Sequence, residues 1–254
     1  MSSERTQKIR DLLGAIATGD PKAVAVVDES RYIQHNPQTH EGSEGLAALF
    51  ARLALTSPRV VVVRAFADGD FVFAHTEYDF STRRIGFEVF RFEGEFAVEH
   101  WDNIQLRRGP NPAGRSMVDG PTAAVDLDRT EANRAVVRRF VETVLIGRAL
   151  DRLGDFVDGE AFVQHNPTLV DGAAALKRYL AQTRDGQPVV EYQRLHRVLA
   201  EGCFVLAVSE GRLDGVHTAF YDLFRVADGR LAEHWDTVEA VPPREVWKNQ
   251  NGKF

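Results

Sequence analysis

The chain has 254 residues, of which 31 are Lys or Arg and 37 are Asp or Glu, so its formal net charge is −6. Apolar residues make up 44% and charged residues 27%, an ordinary globular composition that excludes a disordered, collagen-like or coiled-coil chain. The acidic balance argues against nucleic-acid binding. With one cysteine, Cys203, no apolar signal segment and no apolar run that could span a bilayer, we expect a cytoplasmic protein without membrane contact.

The predicted elements of the first half are helices followed by strands. A helical pattern covers 6–18, and Asp20 followed by Pro21 is typical of the start of a second helix, because Asp caps a helix and Pro fits its first turn. A short helix is predicted over 43–54. Alternating apolar residues then predict four strands, at 59–67, 70–80, 86–92 and 96–106. Helices before an antiparallel meander indicate an α+β fold.

The second half repeats the first. Gln-His-Asn-Pro at 34–37 recurs at 164–167, and Glu-His-Trp-Asp at 99–102 recurs at 233–236, in the same order and at similar spacing. A helical pattern runs from Ala135 to Leu145 and a short helix is predicted over 173–183. Strands are predicted at 189–200, 203–213, 218–226 and 231–238. The chain is therefore a tandem duplication.

The boundary between the copies falls in a connector at about 107–128 that is rich in Gly and Pro. We accordingly expect domains at 1–118 and 119–254. The first part of the connector, 111–115, is similar to the C-terminal tail at 249–253. This similarity indicates that the connector packs on a domain rather than hanging free.

This order of elements, with Gln-His-Asn-Pro ahead of the strands and Glu-His-Trp-Asp in the last strand, resembles the SnoaL-like branch of the NTF2-like superfamily. The two motifs together are similar to those of SnoaL-like aldol-condensation proteins. The resemblance covers both halves and implies two cone-shaped α+β barrels, each a curved antiparallel sheet closed by N-terminal helices around a hydrophobic pocket. It also implies pairing through the sheet, as an intramolecular pseudo-dimer or a homodimer. The implied ligand is a small apolar carbonyl compound, and no cofactor is expected.

Glu88 is the first candidate for a catalytic residue. It shares a strand face with Phe90 and Phe92, and loss of hydration there would raise the pKa of the carboxyl towards the range of a general base. The resemblance to polyketide cyclases implies this role and pairs it with a strand histidine, here His75, 13 residues earlier. The alternative is a carboxylate at the rim that pairs with an arginine such as Arg91 or Arg64.

In the second half the matching carboxylate is Asp222, but Val208 stands where the first half has His75. His217, five residues before Asp222, is a candidate substitute. This difference favours the first half as the better equipped copy.

The histidines of the repeated Gln-His-Asn-Pro segment, His35 and His165, are further catalytic candidates. The following proline restricts the backbone of the intervening asparagine, and an imidazole held there could polarise a carbonyl or carry a proton. Asn36 and Asn166 either contact the ligand or brace the turn. The alternative for the histidines is a buried imidazole bonded to backbone.

His100 and Asp102 share one face of the last strand, as His234 and Asp236 do in the second half. We predict that these four residues and Phe90 bind substrate. Which face lines the pocket stays open, because both faces of a curved sheet can be buried. Trp101 and Trp235, on the opposite face, are predicted to be core or interface residues.

Two classes of function follow. In the first, a cofactor-independent enzyme acts on a small carbonyl compound: Glu88 takes a proton next to the carbonyl, and His75 with His35 stabilises the enolate oxygen. In the second, a non-catalytic protein binds a small molecule in the same pockets. A further alternative is a metal site in the first half, formed by His35, His75 and His100 with Glu88, although we expect no metal.

Overall fold

The computed structural model describes residues 2–18, 20–41, 49, 52–53, 55 and 57–254. The chain forms two compact units, each of them α+β as the sequence predicts. Unit 1 comprises Met1–Arg107 and Pro242–Phe254, and unit 2 comprises Arg108–Val241. This division differs from the expected 1–118 and 119–254, because the connector packs in unit 2 and the C-terminal tail returns to unit 1.

Unit 1 combines helices with a five-stranded sheet. Its labelled elements are α1 (Ser2–Thr18), α2 (Pro21–Val24), β1 (Ile33–Gln34), β2 (Arg59–Asp68), β3 (Phe71–Asp79), β4 (Arg83–Glu93) and β5 (Phe96–Leu106). The strand order is β1-β5-β4-β3-β2, with β1 parallel to β5 and the other neighbours antiparallel. The helix predicted over 43–54 falls largely outside the described residues.

The helices of unit 1 follow from the sequence pattern. Ile9, Leu12, Leu13 and Ile16 recur at helical spacing, and all four are buried on the face of α1 that packs on the sheet. At α2 the Asp20 carboxylate accepts a hydrogen bond from the backbone N–H of Lys22 at 2.9 Å, which caps the helix as predicted.

Unit 2 repeats this plan. Its labelled elements are α3 (Thr130–Phe140), β6 (Val163–Gln164), α4 (Ala173–Leu180), β7 (Thr183–Arg184), β8 (Gln187–Pro188), β9 (Val190–Glu201), β10 (Phe204–Leu213), β11 (Val216–Ala227) and β12 (Arg230–Ala240). The large sheet has the order β6-β12-β11-β10-β9, the same topology as in unit 1. The helical pattern predicted up to Leu145 continues beyond α3 as a π-helix, Val141–Ile146. In the part of the chain that the structure describes, no helix has the length and apolar character needed to cross a membrane.

The register of the strands decides which side chains meet. Glu88 on β4 lies opposite Asp102 on β5, and Asp222 on β11 lies opposite Asp236 on β12. Irregular pairing interrupts β2 against β3, β4 against β5, and β9 against β10. Such β-bulges increase local twist and bend a strand, so they favour a curved sheet.

A tail segment completes each unit by binding its Gln-His-Asn-Pro segment. In unit 2, the connector residue Asn111 donates a side-chain hydrogen bond to the backbone carbonyl of Gln164 at 2.7 Å. In unit 1, Asn249 and Asn251 of the C-terminal tail donate to the backbone carbonyls of Asn36, at 2.7 Å, and Gln34, at 3.0 Å. The tail of each sequence repeat therefore packs in the unit that contains the other repeat's sheet.

Candidate functional site

The inner face of the unit 1 sheet, which packs against α1, carries the polar cluster of interest. Glu88 and Phe90 on β4 lie opposite Asp102 and His100 on β5, and residues opposite each other in antiparallel strands point to the same face. All four are at least nine-tenths buried. His100 and Asp102 therefore lie on the same face as Glu88.

Glu88 is bound through both carboxylate oxygens. Its Oε2 lies 2.8 Å from His100 Nε2, and its Oε1 accepts a hydrogen bond from the hydroxyl of Tyr78 at 2.8 Å. Burial raises the pKa of Glu88, the hydrogen bond from His100 opposes this, and the negative charge of Asp102 adds to the rise. Burial is the largest of these effects, and the pKa of Glu88 lies above its usual value as a result.

Gln34 fixes the orientation of His100. The Gln34 side-chain oxygen accepts a hydrogen bond from the backbone N–H of Asn36 at 2.8 Å and lies 3.1 Å from His100 Nδ1. Since an amide oxygen only accepts, His100 Nδ1 must donate to it. A single proton therefore lies between Glu88 Oε2 and His100 Nε2, where the carboxyl and the imidazole can exchange it.

Asp102 has its own set of partners on this face. Its Oδ2 accepts a hydrogen bond from Asn36 Nδ2 at 2.7 Å, and its Oδ1 lies 3.3 Å from Nζ of Lys253 in the C-terminal tail. Asn36 thus binds Asp102 through its side chain while its backbone N–H binds Gln34. Asn36 therefore contacts Asp102 directly and reaches Glu88 through Gln34 and His100.

Unit 2 contains the same arrangement with aspartate in place of glutamate. Asp222 Oδ1 lies 3.0 Å from His234 Nε2, and His234 Nδ1 lies 2.9 Å from the side-chain oxygen of Gln164. Asn166 donates to Asp236 Oδ2 at 2.6 Å. The position of Asp222 and its histidine partner shows that unit 2 has the same carboxylate–imidazole pair as unit 1, although Val208 replaces the strand histidine.

Burial and charge shift two pKa values in the unit 2 cluster. Burial alone would lower the pKa of His234, but the hydrogen bond and the charge of Asp222 outweigh it and raise that pKa. Burial, together with the charge of Asp222, raises the pKa of Asp236 to about 6. The cluster can therefore take up and release protons near neutral pH.

The raised pKa of Asp236 predicts a pH dependence of stability. In the unfolded chain an aspartic acid has a pKa of about 3.9, so between about pH 4 and pH 6 the folded protein binds the extra proton. The free energy of unfolding should therefore fall as pH rises through this window, by up to about 3 kcal/mol. Asp236→Asn should remove this contribution. Urea unfolding at several pH values measures it, followed through Trp235 fluorescence in a background in which Trp101 and Trp247 are replaced by Phe. Equal pH slopes with and without Asp236→Asn would contradict the prediction.

The two units obtain a tyrosine hydroxyl for the carboxylate from different strands. In unit 1 it is Tyr78 on β3, and in unit 2 it is Tyr192 on β9, 3.2 Å from each carboxylate oxygen of Asp222. A side chain at Gly86 would meet Tyr78 and Glu88 at 2.6 Å, so glycine there leaves room for that contact. In unit 2 the position of Gly86 is taken by Phe220, which stacks on Tyr192 at 4.4 Å.

A small cavity in unit 2 adjoins the cluster. Most of its lining is apolar, and the polar side chains that reach it are Tyr179, Tyr192, Asp222, His234 and Asp236. The cavity leaves about 20 Å³ for the centres of water-sized molecules, which is room for about one water. A larger ligand can enter only if the lining side chains move.

The structure does not bring the other histidine candidates to Glu88. His75 lies on the outer face, with Nδ1 2.7 Å from the guanidinium of Arg64. His35 stacks on Trp101 at 4.5 Å, and its Nε2 lies 2.8 Å from Glu99, also on the outer face. The expectation that His75 and His35 stabilise an enolate oxygen beside Glu88 is therefore not met by this geometry.

In unit 2, His165 and His217 are likewise separated from Asp222. His165 stacks on Trp235 at 4.8 Å, and its Nε2 lies 2.8 Å from Glu233. The hydrogen bonds of His165 and Arg225 lower the pKa of Glu233 although burial opposes this. His217 pairs with Glu210 at 2.8 Å on the outer face. The outer-face histidines form a separate network of carboxylates and imidazoles.

The geometry also bears on the metal alternative. The three histidines of that alternative, His35, His75 and His100, are divided between the two faces of the sheet. The ligand atoms that do lie within 4.8 Å of one another, among the described residues, belong to Glu88, His100 and Asp102, and to Asp222, His234 and Asp236. In unit 1 the ammonium of Lys253 beside Asp102 opposes the entry of a cation.

Several contact residues were missed by sequence reasoning. Gln34 and Gln164 belong to the repeated motif, so the repeat itself was a signal for them. Tyr78 and Tyr192 stand at different places in the two copies, and comparison of the copies could not reveal them. Lys253 is far from Asp102 along the chain, and only its match to the connector singled out the tail.

Comparisons with known proteins place these observations in a family. The chain is similar in fold to an NTF2-like protein from Mesorhizobium loti, at 22% identity and a TM-score of 0.38 over 44% of this chain and 95% of that one. It is also similar to an LEH-like epoxide hydrolase from M. tuberculosis, at 21% identity and a TM-score of 0.34 over 43% of this chain and 84% of that one. A third similar structure is that of IdmH from Streptomyces antibioticus, described as a candidate polyketide cyclase. It shows 17% identity and a TM-score of 0.34 over 39% of this chain and 90% of that one.

Each of these solved structures matches less than half of this chain. The curated proteins gave no match. The model of the SnoaL-like domain matches residues 9–100 and again residues 137–234. Because these two matches together span most of the 254 residues, the chain belongs to the SnoaL-like domain family, with one domain in each half.

Proposed function

We propose that each unit is a cofactor-independent acid/base site that moves a proton on a small carbonyl compound, in an aldol-type cyclisation, an isomerisation or a dehydration. The observation that carries the proposal is the buried carboxylate–imidazole pair, Glu88 with His100 and Asp222 with His234, which recurs at the same register in both units. Buried titratable pairs of this kind are typical of proton-transfer sites.

In the proposed reaction the carboxylate of Glu88 or Asp222 takes the proton from the carbon next to the carbonyl. The electron pair of that C–H bond forms a C=C bond to the carbonyl carbon, and the π pair of the carbonyl moves onto its oxygen, which gives an enolate. The imidazole N–H of His100 or His234 and the hydroxyl of Tyr78 or Tyr192 bind the carboxylate before the reaction. In this proposal they turn to the negative oxygen and stabilise it once the carboxyl holds the proton. In an isomerisation the carboxyl returns the proton to another carbon, and in a dehydration it gives the proton to the hydroxide that leaves as the enolate collapses. In a cyclisation the enolate carbon attacks a second carbonyl carbon, the π pair of that carbonyl moves onto its oxygen, and the carboxyl protonates the resulting alkoxide.

The surroundings of the pair support this chemistry. Burial raises the pKa of Glu88, so its carboxylate is a stronger base than an exposed one. Phe90 stacks on His100 at 4.4 Å, and Phe224 stacks on His234 at 4.7 Å, so each imidazole is covered by an apolar ring. A small apolar carbonyl compound matches such a site better than a charged one. The cytoplasmic location and the pairing of sheets within one chain or between two chains stay predictions.

The test is exchange of carbon-bound protons for deuterium in D₂O, followed by proton NMR over a panel of small ketones, aldehydes and β-keto esters. We expect the wild-type protein to accelerate exchange in at least one member, and a protein carrying Glu88→Gln and Asp222→Asn to lose that acceleration. Equal exchange with both proteins would contradict the proposal. Compounds that bind equally to both proteins without exchange would favour the alternative of a non-catalytic binding protein.

A further inference from the structure

The C-terminal tail brings a lysine into the polar cluster of unit 1. Lys253 is the penultimate residue of the chain, yet it is only 3% exposed, and its Nζ lies 3.3 Å from Asp102 Oδ1. Asn249 and Asn251 anchor the tail on the backbone of the Gln-His-Asn-Pro segment. The position of this buried amine is therefore fixed by its own contact with Asp102 and by the anchored tail that precedes it.

Asp102 needs a positive neighbour in this place. Its carboxylate is 4% exposed and lies opposite Glu88 in the sheet, so two acidic side chains share one buried face. A buried carboxylate without a counter-charge is strongly destabilising. Asn36 supplies a hydrogen bond to Oδ2 but no charge. The ammonium of Lys253 supplies the charge.

We propose that Lys253 is a positioning residue of the unit 1 site: its ammonium holds the Asp102 carboxylate beside Glu88, so that this site is complete only with the C-terminal tail in place. The proposal rests on the proposed function of Glu88 as the base. Lys253 acts through Asp102, and no covalent step is assigned to it.

The repeat provides a matched position in unit 2. Arg115 of the connector corresponds to Lys253 in the repeated tail, but its guanidinium donates to Asp171 at 2.9 and 3.1 Å, and its side chain is 44% exposed. The two units thus share the carboxylate–imidazole pair but place the basic residue of the tail differently. Arg115 is for this reason a suitable control position.

The charged and titratable groups that face Glu88 define what Lys253 can change. Among the described residues they are Tyr78 on β3, His100 and Asp102 on β5, and Tyr32 just before β1, while α1 contributes apolar side chains to the core on this face. The charge of Asp102 already raises the pKa of Glu88. Removing the ammonium would leave that charge uncompensated and strengthen its effect on Glu88.

The test is a carbon-13 NMR titration of the Glu88 carboxyl in the full chain, with its resonance assigned by Glu88→Gln. Lys253→Met should raise the pKa of Glu88 by about one unit, a tenfold gain in proton affinity. Lys253→Arg, which keeps the charge, should restore most of the wild-type titration. Arg115→Met should leave it unchanged. An identical titration in the wild type and in folded Lys253→Met would overturn the proposal.

The Asp102→Asn background separates an effect through Asp102 from any other. There, Lys253→Met should no longer shift the titration of Glu88, and an equal shift in both backgrounds would overturn the positioning role. If Lys253→Met alone does not fold, the double variant, which buries no net charge at this pair, should recover the fold. A double variant less stable than Lys253→Met would also overturn the proposal. Since the titration needs no substrate, failure of the proton-exchange assay would contradict the proposed function and leave this result standing.

Discussion

Replacing Glu88 by Gln and Asp222 by Asn in one protein is expected to lower catalysed proton exchange by about 10²–10⁴-fold, the usual contribution of general acid–base catalysis. Glutamine and asparagine keep the size and much of the hydrogen bonding of the carboxylates but cannot take up the proton. In Glu88→Gln the amide oxygen can still accept from the Tyr78 hydroxyl while the amide NH2 donates to His100 Nε2. In Asp222→Asn the amide oxygen can still accept from Tyr192 or His234. A loss of proton exchange would therefore result from the missing base and not from a change in the fold.

The single variants Glu88→Gln and Asp222→Asn measure how much each unit contributes to the activity. Because both units contain the carboxylate–imidazole pair, each single variant should retain the exchange of the other unit. Glu210→Gln is the matched control, since Glu210 also pairs with an imidazole, that of His196 at 2.9 Å, but on the outer face of the sheet. An equal loss of activity in this control would place the chemistry outside the inner face.

Deleting residues 242–254 is expected to destabilise unit 1 by more than about 4 kcal/mol. Removing one partner of a buried ion pair, here Lys253 beside Asp102, costs about 3–5 kcal/mol. The hydrogen bonds from Asn249 and Asn251 to backbone carbonyls add about 1 kcal/mol each. The carbonyl of Gly252, which accepts from His35 Nδ1 at 2.9 Å, is lost as well.

Tryptophan fluorescence during urea unfolding can follow the two units separately. Trp101 is buried in unit 1, Trp235 is buried in unit 2, and Trp247 lies in the tail, so replacing Trp247 and one of the other two by Phe leaves a single reporter. We expect the deletion to move the Trp101 transition to much lower urea and to affect the Trp235 transition far less. A shift confined to Trp235, or no shift in either, would contradict the division of the chain described above.

Much of the fold was predictable because the duplication doubles the signal. The repeated motifs gave the order of the elements, and alternation of apolar residues gave the four long strands of each sheet. The hairpin between β11 and β12 was also readable, since Asp228 and Gly229 adopt the positive φ values, 50° and 73°, that their types tolerate in tight turns. The division into units was not readable, because a tail that packs far from its own repeat leaves no local pattern.

The failure at His75 has a simple geometric reason. Because β3 and β4 are antiparallel, each step forward along β3 is a step back along β4. His75 therefore lies opposite Phe87, and Ala74 lies opposite Glu88. A separation of 13 residues therefore puts His75 and Glu88 on opposite faces of the sheet. Sequence alone did not fix the centre of the turn, where Ser81 takes a positive φ of 72°. By contrast His100 is only two residues from Asp102 on the same strand, so the two share a face wherever the turn lies.

The return of the last residues to unit 1 has a consequence for synthesis on the ribosome. After Arg107 leaves the peptidyl-transferase centre, 147 more residues must be joined before the tail exists. At about 5–20 residues per second this takes roughly 7 to 30 s. During that interval unit 2 has all of its residues before unit 1 does, although unit 1 holds the start of the chain. Of the two units, unit 1 is thus the later to reach its native state. A message cut just before codon 242 would yield a chain in which unit 2 is native and unit 1 is not.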